Sequence, residues 1–172
     1  RLMNDVVCRN ETEYVSLSAL TGRILAQDVC AQFDAPRFDN SAMDGYAVCG
    51  LQQQNWLLTD SIAAGDATHG LQLQTGQAMR ILTGAAIPAG TEAVIAQEDV
   101  NVLDGLLVCD RPLKSGQHIR RLAEEYAAGE VLLPAQMRLN AAAVGVIASQ
   151  GLQQVACFRR IRITVLSSGN EL

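Results

Sequence analysis

Lysine is almost missing from this 172-residue chain, where Lys114 is the only one. Chemistry that needs a lysine, whether a Schiff base or a phosphate-gripping ammonium, rests on that residue or on groups from elsewhere. Aromatic residues make up only 4% of the chain, so its core must come from Leu, Val, Ile and Ala. Histidine is limited to His69 and His118, with no H-x-x-x-H spacing, and there is no G-x-S-x-G elbow. Zinc-protease and serine-hydrolase readings therefore have no support. Neither a Gly-x-x-x-x-Gly-Lys-Ser/Thr loop nor G-x-G-x-x-G occurs, which excludes nucleotide binding by those devices within this segment. The five cysteines, Cys8, Cys30, Cys49, Cys109 and Cys157, are odd in number and contain no C-x-x-C pair. That usage lacks zinc-ligand spacing and fits free thiols in a reducing cytosol, so a cytoplasmic location is expected. The longest apolar run, residues 141–148, is far shorter than the roughly 20 residues that span a bilayer. No secretory signal precedes the first element, and a soluble chain is expected.

Almost half the residues are apolar, enough for a true core in one or two small domains. The net charge of −5 argues against nucleic acid as a partner, because such binders carry a basic face. Helical periodicity is rare. Asn140 to Ser149 reads as a helix, with Asn140 as N-cap and Gly151 at the C′ position. A short helical turn is expected over Leu17 to Leu20, ended by Gly22. Strand signals cover Arg23 to Val29, Tyr46 to Cys49, Trp56 to Ile62, Ala78 to Leu82, Ala93 to Gln97, Leu106 to Cys109 and Val131 to Leu133. Asp104-Gly105 between apolar runs predicts a hairpin. Short strands at regular spacing between residues 45 and 118 predict a small β-barrel or sandwich inserted into a second domain built from both ends of the chain. Arg1 to Val7 reads as the end of a helix, and Arg162 to Leu166 as a strand entering a loop. Both ends look cut, as in the N-terminal part of a longer protein.

The densest polar stretch is Phe38-Asp39-Asn40-Ser41-Ala42-Met43-Asp44-Gly45-Tyr46-Ala47-Val48. Asp39 and Asn40 can close Asx turns, and Asp44-Gly45 can form a type I′ turn. Read singly, these residues make a decorated loop. The alternative is a rigid loop that presents Asp44 to a metal ion or a water, since a carboxylate held by backbone groups is a good ligand for hard cations. Residues 79–85 form a second candidate, a strand running into a Thr83-Gly84 turn, followed by Pro88-Ala89-Gly90 and by Ala93-Val94-Ile95. Here Thr83 either caps the turn or donates its hydroxyl to a phosphate or similar oxyanion. In a third segment Arg120 and Arg121 precede Glu124 and Glu125. The cluster is either a solvated charge patch or an oxyanion site, because guanidinium groups bind oxyanions bidentately.

Taken together and in order, these strings resemble the signatures of the MoeA family of molybdopterin molybdenumtransferases, which includes the gephyrin E-domain. The terminal Ser167-Ser168-Gly169-Asn170-Glu171-Leu172 is similar to that family's Ser-Thr-Gly-Asp-Glu-Leu. Departures fall at Ala123 (glycine in the family pattern), Glu125 and Asn170 (both aspartate) and Leu122, where a basic residue is frequent. The resemblance implies a β-rich, irregular α+β fold. Residues 1–30 and 119–160 would form a discontinuous elongated domain, 31–118 an inserted β-barrel-like domain, and 161–172 the start of a Rossmann-like pterin-nucleotide domain.

The same resemblance implies insertion of molybdate into adenylylated molybdopterin with release of AMP, assisted by Mg²⁺, in a homodimer. An upstream molybdopterin adenylyltransferase is an implied partner. Asp44, Thr83 and Glu171 would be catalytic, with Asp44 and Glu171 holding Mg²⁺ or orienting water. Ser41, Arg120 and Glu125 would bind substrate. The alternative is a non-catalytic scaffold that binds partner peptides and oligomerises. A generic metal phosphohydrolase built on Asp44, Glu98 and Asp99 lacks the further His or Asp cluster it would need.

Overall fold

The computed structural model describes residues 11–62, 71–166 and 169. In chain order the elements are β1 (Thr12–Ser16), β2 (Val29–Cys30), β3 (Asn40–Ser41), β4 (Gly45–Val48), β5 (Asn55–Ile62), β6 (Gln77–Ile81), β7 (Ala93–Ala96), β8 (Asn101–Leu103), β9 (Leu106–Val108), β10 (Ile119–Arg120), β11 (Val131–Leu133), α1 (Ala141–Ser149) and β12 (Gln154–Phe158). The fold is thus mostly sheet with one helix among the described residues, as the β-rich α+β expectation requires. Two compact units result. One takes the chain up to Gln32 and again from Gly129, and the other is Phe33–Ala128.

The first unit packs α1 and a few short strands around Leu20, Leu25, Leu139 and Ile147, all fully or almost fully buried. β1 and β12 pair antiparallel, with Val15 opposite Val155, and a second ribbon joins β2 to β11. The helix forms where the sequence says it should. Asn140 accepts a hydrogen bond from the Ala143 amide at 2.9 Å through Oδ1, which satisfies one of the first-turn donors. Gly151 takes φ +74° just beyond the C-cap, a conformation that costs glycine nothing. The turn expected at Leu17 to Leu20 is a 3₁₀ turn over Leu17–Ala19.

The second unit carries a six-stranded sheet of order β7-β4-β6-β5-β9-β8, curled as a half-barrel. Only β5 and β6 are parallel. β4 and β7 are buried along their whole length, and alternation along the strands of this sheet feeds two separate cores. Ala47, Met79, Ile81 and Val94 face one, with Leu73, Ala85 and Ile119. Tyr46, Val48, Ala78 and Ile95 face the other, with Trp56 and Leu107. Asp104 and Gly105 both have positive φ (48° and 79°), as the expected tight hairpin between β8 and β9 demands. This unit closes at Ala128 because Ile119–Arg120 pairs with Asn40–Ser41 and Tyr126 bridges Ala35.

Several local expectations change. Asp44-Gly45 makes no type I′ turn: Gly45 opens β4 without a positive φ. Glycine is needed there for a different reason, since a Cβ would lie 1.9 Å from the Ile95 carbonyl oxygen on β7. The strands before and after the Thr83-Gly84 loop do not pair with each other, because β4 lies between β6 and β7. Arg23 to Val29 forms isolated bridges at Ile24 and Leu25 before the two-residue β2. Arg162 to Leu166 has no strand partner among the described residues, and its apolar side chains are exposed. The helix end at Arg1 to Val7 lies outside the described residues.

Candidate functional site

Three loops of the second unit carry the candidate residues. β3 leads through Ala42-Met43-Asp44 into β4, β6 leads into Thr83-Gly84, and β10 leads into the Arg121–Tyr126 turn. Backbone bonds lace the first two together. The Ser41 amide donates to the Ala85 carbonyl at 3.0 Å, and the Gly84 amide to the Ser41 carbonyl at 2.9 Å. Gly84 takes φ +81°, the left-handed backbone of the turn that follows β6.

Asp44 is exposed, and Thr83 holds it. Its Oδ1 accepts the Thr83 amide at 2.7 Å and the Thr83 hydroxyl at 2.8 Å. These two donors, the amide foremost, hold the Asp44 carboxyl below the ordinary aspartate range, with the Arg80 charge adding to the effect. Asp44 is therefore ionised at neutral pH, and only one of its two oxygens is engaged among the described residues. The Thr83 hydroxyl has one proton, and Asp44 takes it. In this arrangement Thr83 positions the Asp44 carboxylate, and its hydroxyl proton is not offered to a substrate oxygen.

Ser41 is fully buried. Its hydroxyl donates to the Met43 carbonyl at 2.7 Å and accepts the Met43 amide at 3.3 Å, bracing the turn that delivers Asp44. Substrate contact through that hydroxyl would need the turn to open. Arg120 is exposed and stands opposite Asn40 across the β3–β10 ribbon, with no ion pair among the described residues. Glu125 is exposed, and its amide donates to the Ala35 carbonyl at 2.8 Å. Glu171 lies outside the described residues. The structure thus joins Asp44 to Thr83 directly, sets Ser41 and Arg120 on the adjoining ribbon, and ties Glu125 to the loop before that ribbon.

Two residues matter more than sequence reading showed. Asp39 makes no Asx turn; its carboxylate reaches the third loop, accepting Arg121 Nη1 at 2.6 Å and the Leu122 amide at 2.8 Å. The Leu122 amide first, then the Arg121 guanidinium, hold its carboxyl below the usual range. No local spacing could reveal this link, since the partners lie 82 residues apart. Asn40 is buried and its Nδ2 donates to the Phe38 carbonyl, while its Oδ1 has no partner among the described residues. Ala123 adopts φ +59°, the left-handed backbone its place in the turn demands, and donates its amide to the Pro36 carbonyl at 3.0 Å. Among the described residues no three His, Cys, Asp or Glu side chains gather to hold a metal ion. No helix among them is long and apolar enough to cross a membrane.

Comparison with known proteins gives a consistent picture. A sequence model of the MoeA N-terminal region (domain I and II) matches residues 1–151. The molybdopterin molybdenumtransferase of Haemophilus influenzae is 39% identical over an alignment that covers 100% of this chain and 43% of that protein. The enzyme of the same name from a Nostoc species is also 39% identical, over 95% of this chain and 39% of that protein. The crystal structure of the molybdopterin biosynthesis moeA protein from Pyrococcus horikoshii OT3 superposes with a TM-score of 0.77 at 32% identity, covering 87% of this chain and 41% of that one. The chain therefore spans about two fifths of the length of the curated relatives it matches.

Proposed function

The chain belongs to the MoeA N-terminal region family, and from that premise we propose that the intact protein is a molybdopterin molybdenumtransferase. It takes adenylylated molybdopterin and molybdate as substrates, releases AMP and leaves the metal on the dithiolene. The observation that carries this reading is the Asp44–Thr83 pair, an exposed, ionised carboxylate fixed by two donors at the mouth of the family's signature loop.

The residues divide the work as follows. Thr83 fixes the Asp44 carboxylate through Oδ1, which leaves the second oxygen to orient a water or a cation toward the phosphoanhydride. Arg120, exposed and without an ion pair among the described residues, offsets the charge of the anionic substrate. Arg80 adds positive potential beside Asp44. Ser41 holds the turn. Glu125 lies on the third loop, where it would contact substrate, and Glu171 would supply a second carboxylate. Mg²⁺ fits such a donor set, because this ion is commonly held by one or two carboxylates together with substrate phosphates. When bound it would offset charge on the phosphoanhydride, with Asp44 and Glu171 as its protein ligands.

The rest of the site would come from elsewhere in the assembly. Met43, Leu82 and Leu122 on these three loops, and Phe38 just before β3, are between 36% and 50% exposed. An apolar rim around a polar site suits a covering surface, in our reading a domain of the second subunit of a homodimer. Ile161, Ile163 and Val165 alternate and are more than four fifths exposed. This pattern suits the first strand of a Rossmann-like pterin-nucleotide domain that covers them. A cytosolic location, with an adenylyltransferase supplying the substrate, completes the proposal; free thiols at Cys30, Cys49, Cys109 and Cys157 agree with it.

The scaffold alternative gains nothing from the departure at Ala123, since the residue keeps the left-handed backbone that a glycine would adopt. The deciding experiment is turnover by the intact protein. Molybdate-dependent release of AMP from adenylylated molybdopterin, with restored molybdoenzyme activity in a deletion strain, is expected. Absence of both, with assembly intact, would favour the scaffold.

A further inference from the structure

The β3–β10 ribbon aligns the Asp44 loop with the Arg120 loop through two residue pairs, Ile119 with Ser41 and Arg120 with Asn40, continued inward by the Ala42 amide, which donates to the His118 carbonyl at 2.9 Å. So short a ladder is weakest at its outer end, and a slip of one residue would move every side chain of a strand to the opposite face. The next positions outward along the same antiparallel ladder are Asp39 and Arg121, and these are the residues joined by an ion pair at 2.6 Å. Asp39 also accepts the Leu122 amide at 2.8 Å, and its carbonyl accepts the Ile87 amide at 3.0 Å from the loop that follows Thr83. The Arg121 amide donates to Glu124 Oε2 at 2.7 Å, which fixes the turn from the other side. One aspartate thus ties all three candidate loops together.

We propose that Asp39 and Arg121 are a positioning pair that sets the register of the β3–β10 ribbon, and so the face on which Arg120 stands relative to Asp44. The inference rests on the molybdenumtransferase reading for its consequence in turnover, and on the ribbon alone for its geometry. Both side chains are more than a third exposed, so the pair contributes little to overall stability. Its effect falls on alignment, and small displacements of reacting groups are costly to rate.

The test uses the intact protein carrying Asp39→Asn, Arg121→Gln, Arg121→Lys or the Asn/Gln double substitution. Asp39→Asn keeps an acceptor for Leu122 and removes only the charge. Asp39→Asn and Arg121→Gln are each expected to lower kcat about tenfold or more with KM within about threefold of wild type. The double variant should be no slower than either single one, and Arg121→Lys should recover most of the rate. Melting temperatures should stay within about 2 °C of wild type. Wild-type kcat in both single variants would overturn the proposal. So would additive losses accompanied by a lowered melting temperature, which would mark a purely architectural tie. If wild-type protein releases no AMP, the functional reading fails, and amide exchange then decides the geometry. Asp39→Asn should speed exchange at Arg120 and Leu122, and unchanged protection there would overturn the register claim.

Discussion

Replacing Ala123 by glycine should stabilise this chain, although the change deletes a methyl group from a described turn. Ala123 sits at φ +59°, where a β-carbon approaches the following carbonyl and costs about 1–2 kcal/mol. Glycine removes that cost but adds freedom to the unfolded chain, which takes back about 0.4–1 kcal/mol. The Ala123 amide bond to the Pro36 carbonyl uses backbone only, so it survives the change. The net gain is about 0.8 kcal/mol from these two ranges. For a chain of this length that corresponds to a rise in melting temperature of roughly 2–3 °C. Thermal unfolding followed by circular dichroism or calorimetry reads it directly, with Ala123→Val as the opposite control, since a β-branched residue tolerates this conformation least. A lower melting temperature for Ala123→Gly would refute the reasoning, because it would mean that the turn does not hold Ala123 in the left-handed region.

Gly45→Ala should disrupt the second unit: its Cβ would meet the Ile95 carbonyl at 1.9 Å, and a backbone atom cannot swing aside. Separating β4 from β7 there costs about 3 kcal/mol from overpacking and lost ladder bonds together, read as a lowered denaturant midpoint. Acid sensitivity follows from Asp39 and Asp44, whose folded carboxyls are held below the ordinary value of 3.8. A depressed folded pKa stabilises above the unfolded value and loses that stabilisation as pH falls through the folded one. The stability difference between wild type and Asp39→Asn should therefore be flat from pH 7 to 5 and shrink only below about pH 4; a difference that shrinks near neutrality would contradict the cited partners.

Much of this fold can be read locally. The helix announces itself through Asn140 and Gly151, and the β8–β9 hairpin through Asp104-Gly105, because caps and tight turns depend on residues adjacent in sequence. Strands buried on both faces, such as β4 and β7, stand out as continuous apolar runs. β1 and β12 were not legible: Thr12–Ser16 is mostly polar without alternation, and Gln154–Phe158, its partner, lies near the other end of the sequence. Gly45 reads from sequence as a turn residue, since a turn glycine and a close-approach glycine look alike until the neighbouring strand is in place. At the site, the signature strings pointed to Asp44 and Thr83, which the structure brings within hydrogen-bond distance. The link from Asp39 to Arg121 had no sequence signal, because an ion pair between distant loops leaves no periodicity.

The account depends on the Asp44 carboxylate acting at the reaction and not merely closing a loop. Asp44→Asn preserves the acceptor for both Thr83 donors and removes the charge, so the loop should stand. The decisive measurement is AMP release from adenylylated molybdopterin by the intact Asp44→Asn protein in the presence of molybdate, beside its melting curve. A fall of about a hundredfold or more at unchanged melting temperature is predicted; wild-type turnover would contradict the central claim.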